Sequence, residues 1–194
     1  MSEKFTDLTP PQPLIIPRGM MEHKDFETYF WKWYGFVIPD QNALQLIKKY
    51  TYGKTILEIG AGTGLWAKLL ENNNVDIIAT DLMAPIYKNN WYRRSWTDVE
   101  EIDAVDAIKK YRDKDVLMLV WPHDNNVWAE ALKEFRGDIF IYAGNSGPEE
   151  LHKEMEGNWE VNIKKDLNIF PTSNHKSIKI GQPTLYIMKR KDKK

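Results

Sequence analysis

Cysteine is absent from this chain of 194 residues. Its absence excludes disulfides, thiolate metal sites and a cysteine nucleophile, and it permits a reducing compartment. Net charge is almost absent too. The 27 basic side chains face 28 acidic ones, so no overall field draws the protein onto nucleic acid or an acidic membrane. No apolar run reaches membrane-spanning length, and the opening Met1-Ser2-Glu3-Lys4-Phe5-Thr6-Asp7 is polar rather than a signal peptide. A cytoplasmic protein without membrane contact is the expectation. Histidine is scarce: His23, His123, His152 and His175 show neither H-x₃-H nor HExxH spacing, so no metal is expected. No linker interrupts the chain, whose length suits one domain with a substantial core. The one local excess of charge is the basic tail 189–194, Lys189-Arg190-Lys191-Asp192-Lys193-Lys194. A solvated tail explains it, and contact with RNA or another polyanion is the alternative.

Four prolines between Thr9 and Arg18 make residues 1–24 an extended arm. Residues 25–52 read as helices. Phe26, Tyr29, Phe30 and Trp33 form one apolar stripe, and Ala43, Leu46, Ile47 and Tyr50 form a second after Pro39-Asp40. From residue 53 to 188 apolar runs alternate with helical spacings. Ile56 to Ile59, Val75 to Thr80, Trp91 to Trp96, Val116 to Val120 and Ile139 to Tyr142 read as strands. A helix is expected from Asp98, with Glu101 completing a capping box and Val99, Ile102, Val105 and Ile108 turned inward. Others are expected around Trp128 to Phe135 and Pro148 to Glu156. Two final strands, carrying Trp159, Val161, Ile163 and then Leu185, Ile187, have no helix between them and can pair as a hairpin. Such alternation argues an α/β domain with a mostly parallel sheet covered on both faces.

The most informative segment is Ile56-Leu57-Glu58-Ile59-Gly60-Ala61-Gly62-Thr63-Gly64-Leu65-Trp66. An apolar strand carrying an acid runs into glycines at alternate positions, then into a helix. Glycine lets the chain turn sharply and leaves the backbone bare enough for a ligand to lie against it. The dinucleotide fingerprint G-x-G-x-x-G would need glycine where Leu65 stands, which weighs against a nicotinamide oxidoreductase. The segment resembles the first motif of the Rossmann-like, class I S-adenosylmethionine-dependent methyltransferases, apolar-apolar-Glu/Asp-apolar-Gly-x-Gly-x-Gly, and matches it completely. A second β-branched run ends at Asp81, where an ionised carboxylate offers two acceptor oxygens to a diol.

The resemblance implies a three-layer, seven-stranded sheet of order 3-2-1-4-5-7-6, preceded here by the N-terminal helical extension. It implies S-adenosylmethionine as cofactor, bound by Glu58, Gly60, Ala61, Gly62, Gly64, Asp81, Leu82, Met83, Asp98 and Trp121. Asp81 would take the ribose, Leu82 and Met83 the adenine face, and Asp98, expected at the tip of the third strand, the adenine amino group. The link Leu82 to Asn90 departs from the family, being too short for the usual full helix. So does Leu119-Val120-Trp121-Pro122-His123-Asp124, where amino-methylating relatives often carry Asp/Asn-Pro-Pro-Tyr. Val116 to Gly147 is instead similar to a subgroup of methyltransferase-like proteins that offers no acceptor. His123 is the candidate base because its pKa lies near neutrality, with Asp124 as the alternative. Asn145 at the end of the fifth strand, and Trp31 and Tyr34 off the N-terminal helical stripe, are candidate acceptor contacts. The expected activity is methyl transfer to an oxygen or nitrogen of a small-molecule or protein acceptor, rather than a nucleic acid. A non-catalytic, interacting relative is the alternative.

Overall fold

The computed structural model describes residues 37, 39–83, 95–122, 126–144, 149–167 and 183–192. The expected arm, the first N-terminal helix and the end of the basic tail fall outside them.

Helix α1 (Gln41–Tyr50) starts where Asp40 caps it, its Oδ1 accepting the Ala43 N–H at 2.7 Å. That bond satisfies one of the donors every helix start leaves open. Lys48 and Lys49 close the last turn, where positive charge suits the helix dipole. Strand β1 (Ile56–Ile59) follows, then α2 (Leu65–Glu71), β2 (Ile77–Thr80), β3 (Val99–Glu100), α3 (Ala104–Lys110), β4 (Val116–Val120), α4 (Val127–Glu134), β5 (Ile139–Gly144), α5 (Glu149–Asn158), β6 (Trp159–Asp166) and β7 (Thr184–Arg190).

The strands form one sheet of order β3-β2-β1-β4-β5-β7-β6. Strands β1 to β5 pair in parallel, and β7 lies antiparallel to both β5 and β6, with an irregularity between Val161 and Ile163. Side-chain alternation divides the apolar residues between two faces. Leu57, Ile59, Leu117, Leu119, Phe140 and Tyr142 pack beneath α3, α4 and α5. Ile56, Met118, Ile141, Leu185 and Ile187 pack beneath α1 and α2. The result is three layers, and it explains why β4 is apolar at every position. This is the fold of the class I S-adenosylmethionine-dependent methyltransferases, in the strand order the first motif implied.

The third strand differs from the expectation. Of the stretch Trp91 to Trp96, residues 91–94 lie outside the described residues, and Ser95 and Trp96 are not in a strand. The strand beside β2 is Val99–Glu100, in register with Ala79 and Thr80. Val99 is buried against Ala67 and Ala79, while Glu100 turns outward to Lys110 and Tyr111. Helix α3 consequently begins five residues after Val99, and its cap is Asp103, whose Oδ1 accepts the Val105 N–H at 2.9 Å; the Asp98 and Glu101 capping box does not form. Val99, Ile102 and Val105 recur at helical spacing whether or not the first of them is in the helix, so periodicity could not place this start.

Candidate functional site

In an open parallel sheet, ligands bind beyond the carboxyl ends of the strands, where the strand order reverses. Here the chain runs outward from β1 to β2 and β3, then returns to β4 on the other side of β1. The reversal therefore lies between β1 and β4. Gly60 directly follows β1, Asp81 follows β2 and Trp121 follows β4.

The turn after β1 is built on left-handed backbone. Gly60, Gly62 and Gly64 have φ of 65°, 58° and 75°, a region that disfavours any residue with a Cβ. Two of the three also face close neighbours. A Cβ on Gly60 would come within 2.7 Å of the Trp128 ring, and one on Gly64 within 2.9 Å of the Val99 side chain. Gly62 meets nothing within 4 Å on that side. The middle of the turn thus presents bare backbone to open space while its ends are packed from below.

Asp81 ties this turn to the second strand. Its Oδ2 accepts the Gly62 N–H at 2.8 Å and its Oδ1 accepts the Met83 N–H at 2.7 Å. Ala61 N–H donates to the Thr80 carbonyl at 2.9 Å, and Asp81 N–H to the Glu100 carbonyl at 2.9 Å. An ionised carboxylate has roughly four lone-pair sites, so Asp81 keeps acceptor capacity beyond the two bonds it makes. The sequence reading gave Asp81 a ligand role and missed this anchoring, since a bond to Gly62 leaves no mark in spacing.

Glu58 is buried, 1% exposed, and its Oε2 has no hydrogen-bond partner. Burial, and after it the negative charge of Asp81, push its carboxyl up to about 8, against a smaller opposing effect from a backbone hydrogen bond at Ala67. Buried polar atoms are nearly always satisfied, so an orphan acceptor beside a bare glycine turn calls for an explanation.

Trp121 adopts φ of 50°, unusual for a bulky residue and more so before proline. Its N–H donates to the Ala143 carbonyl at 2.7 Å. Strict alternation would send its side chain to the face opposite Val120; instead both pack with the cluster beneath α1 and α2. The left-handed residue has turned the indole over. Leu82 and Met83 are exposed, at 58% and 46%, and Ala61 is half-buried in the turn. Asp98 is exposed and precedes β3, so it stands on the amino-terminal side of that strand; the acid directly after β3 is Glu101. His123, Asp124, Asn145, Trp31 and Tyr34 lie outside the described residues. Trp128, which fills the space under Gly60, was visible in sequence only as a helix-face residue.

Neither a protein-family profile nor a curated protein matches this chain. Solved structures do. One is a protein of the NADB-Rossmann superfamily from Streptococcus agalactiae, 14% identical, covering 82% of this chain and 72% of that one at a TM-score of 0.52. A second is a candidate tRNA (m1A22) methyltransferase from Streptococcus pneumoniae, 13% identical over 81% and 72%, also at 0.52. A third comes from echinomycin biosynthesis, where a disulfide bond is converted into a thioacetal group; it is 12% identical over 78% and 82% at 0.54. At these identities the likeness is one of fold.

Proposed function

We propose that this chain is an S-adenosylmethionine-dependent methyltransferase whose cofactor lies on the Gly60 to Gly64 turn, and that it methylates an oxygen or nitrogen of its acceptor. The observation that carries the reading is the combination at the β1 and β2 tips: a bare left-handed turn, an acid with spare acceptor capacity beside it, and a buried carboxyl with an orphan oxygen below it. A nucleoside joined to a cationic amino acid meets each of these needs. Backbone of Gly60, Ala61, Gly62 and Gly64 faces the amino-acid part, Glu58 its ammonium, Asp81 the ribose diol, and the exposed Leu82 and Met83 the adenine. Trp121, turned over at the end of β4, borders the same site.

The cofactor supplies an electrophilic methyl on a sulfonium. The protein's share is alignment of the acceptor and, where the acceptor is protonated, removal of that proton. His123, two residues beyond Trp121, is our candidate for the base, with Asp124 the alternative; Asn145, Trp31 and Tyr34 would contact the acceptor. A small molecule or a protein suits the near-neutral charge better than a long nucleic acid.

Thermal unfolding with S-adenosylmethionine, S-adenosylhomocysteine or NAD tests the reading. Ligand at a hundredfold its dissociation constant adds about 2.7 kcal/mol, or roughly 5 to 11 °C in a domain of this size. Both sulfur ligands should raise Tm and NAD should not, and Asp81→Asn should weaken the effect by tenfold or more in ligand concentration. No shift at millimolar ligand removes the cofactor site and with it the enzyme.

A further inference from the structure

A second hollow lies at the other end of the sheet from the glycine turn, where the parallel strands begin. Its volume is about 670 Å³, and it is bordered by the last turn of α1, the loop into β1, the start of β5 and the end of β7. Small-molecule sites span about 300–1,000 Å³. Lys189 and Arg190, which open the basic tail in the sequence, are the last two residues of β7, and Lys189 pairs with Ile139 of β5. Arg190 is a fixed donor in this wall. Its Nε donates to the Gly137 carbonyl at 3.0 Å and its Nη2 to the Phe135 carbonyl at 2.7 Å, while the guanidinium lies 4.4 Å from the centre of the Trp159 ring. A guanidinium has five N–H donors, so three remain after those two bonds. No described carboxylate forms an ion pair with it, and burial lowers its pKa against a smaller opposing effect from Asp138. Lys49 and Lys189 border the hollow, are exposed, and have no ion pair among the described residues; Glu160, across the ladder from Lys189, stays beyond that distance. Lys54 is held by Asp115 at 2.7 Å. The acids of the rim are Asp138 and Asp192.

We propose that this hollow is a second ligand site, for a small phosphorylated molecule that also carries hydroxyl groups, such as a sugar phosphate. Arg190, Lys49 and Lys189 take the phosphate. The planar guanidinium matches phosphate oxygens in pairs, and the two lysines add point charges. Asp138 and Asp192 accept from the hydroxyl groups, since an ionised carboxylate only accepts. The same two acids weigh against the backbone of a nucleic acid, which would need an uninterrupted basic track. The wall is built on sheet backbone: the Asp115 carbonyl accepts the Asp138 and Ile139 N–H groups at 3.1 and 3.0 Å, and the Asp138 carbonyl accepts the Arg190 N–H at 2.9 Å. Sites held on strands keep their geometry better than sites held on loops. The proposal does not rest on the cofactor reading, because the sheet itself separates the hollow from the glycine turn.

Amide chemical-shift titration of the full chain with ribose 5-phosphate tests the proposal. Inorganic phosphate and ribose serve as partial probes, and a short oligouridylate as the nucleic-acid probe. Ribose 5-phosphate should give saturating shifts at residues 49–54, 138–139 and 189–192 and leave the Gly60 to Gly64 amides unmoved. Inorganic phosphate should bind the same amides at least about tenfold more weakly, and ribose should not saturate them. Lys49→Gln combined with Lys189→Gln changes two exposed positions and should weaken ribose 5-phosphate at least about tenfold. Asp138→Asn should narrow the gap between ribose 5-phosphate and phosphate. No saturation by about 10 mM ribose 5-phosphate, or saturation unchanged in the double variant, overturns the proposal. Equal affinity for phosphate and ribose 5-phosphate removes the role of the acids and overturns it as stated. Tighter binding of the oligouridylate than of ribose 5-phosphate makes the hollow part of a nucleic-acid track and overturns it as well.

Discussion

Glu58 also sets a stability profile for the free protein. Its folded carboxyl titrates near 8 instead of the ordinary 4.5. Between those values the folded chain holds a proton that the unfolded chain has lost, so stability falls as pH rises through the window. The favourable term is fully present below pH 4.5 and gone above about pH 8. The loss is at most about 5 kcal/mol, at 1.36 kcal/mol per pKa unit. Glu58→Gln carries no such term. Relative to the parent it should gain a few kcal/mol between pH 5 and pH 9 in urea unfolding without ligand; parallel profiles for the two proteins would contradict the burial argument. Asp81 shows the other limit of reading single residues. Its place after a β-branched run made it a candidate from sequence, yet its bond to Gly62 joins two loops, which no local pattern encodes; its bond to Met83 is a local turn contact.

At the scale of elements, the turn after β1 makes two separable demands. Gly60→Ala adds a methyl 2.7 Å from the Trp128 ring as well as a left-handed Cβ, whereas Gly62→Ala adds only the second. The left-handed term costs about 1–2 kcal/mol. Gly60→Ala should therefore lower stability by more than that, and Gly62→Ala by about that much while abolishing ligand-induced stabilisation. Equal losses in the two variants would show that Trp128 does not constrain the turn. The turn and β4 were legible in the sequence for physical reasons: three alternate glycines have few other uses, and a strand covered on both faces is apolar throughout. The strand β3 was not, because Val99–Glu100 is too short to show a period. Its position comes from Val99 meeting Ala67 and Ala79, which are distant in sequence. Asp98 accordingly precedes the strand instead of standing at its tip. The turned-over indole of Trp121 was equally hidden, since nothing in Val120-Trp121-Pro122 announces a positive φ.

For the whole molecule, the two faces of the sheet form the core that holds the site in place. Leu119 is 1% exposed among the residues beneath α3 to α5. Leu119→Ala should cost about 2–5 kcal/mol, seen as a lower urea midpoint with an unchanged slope; a change in slope would mean that the two faces do not unfold together. Strands alternating with helices, then two strands in succession, made a mostly parallel, layered sheet legible, whereas the strand order came only as what the resemblance to the methyltransferase family implies. The likeness of fold to solved structures at 12–14% identity leaves the chemistry to be argued from the site. The most direct test is a crystal structure of the full chain with S-adenosylhomocysteine. Our account places the ligand on the Gly60 to Gly64 backbone, with its ammonium at Glu58 and its ribose at Asp81. A ligand bound elsewhere, or one whose amino-acid end points away from Glu58, would contradict it.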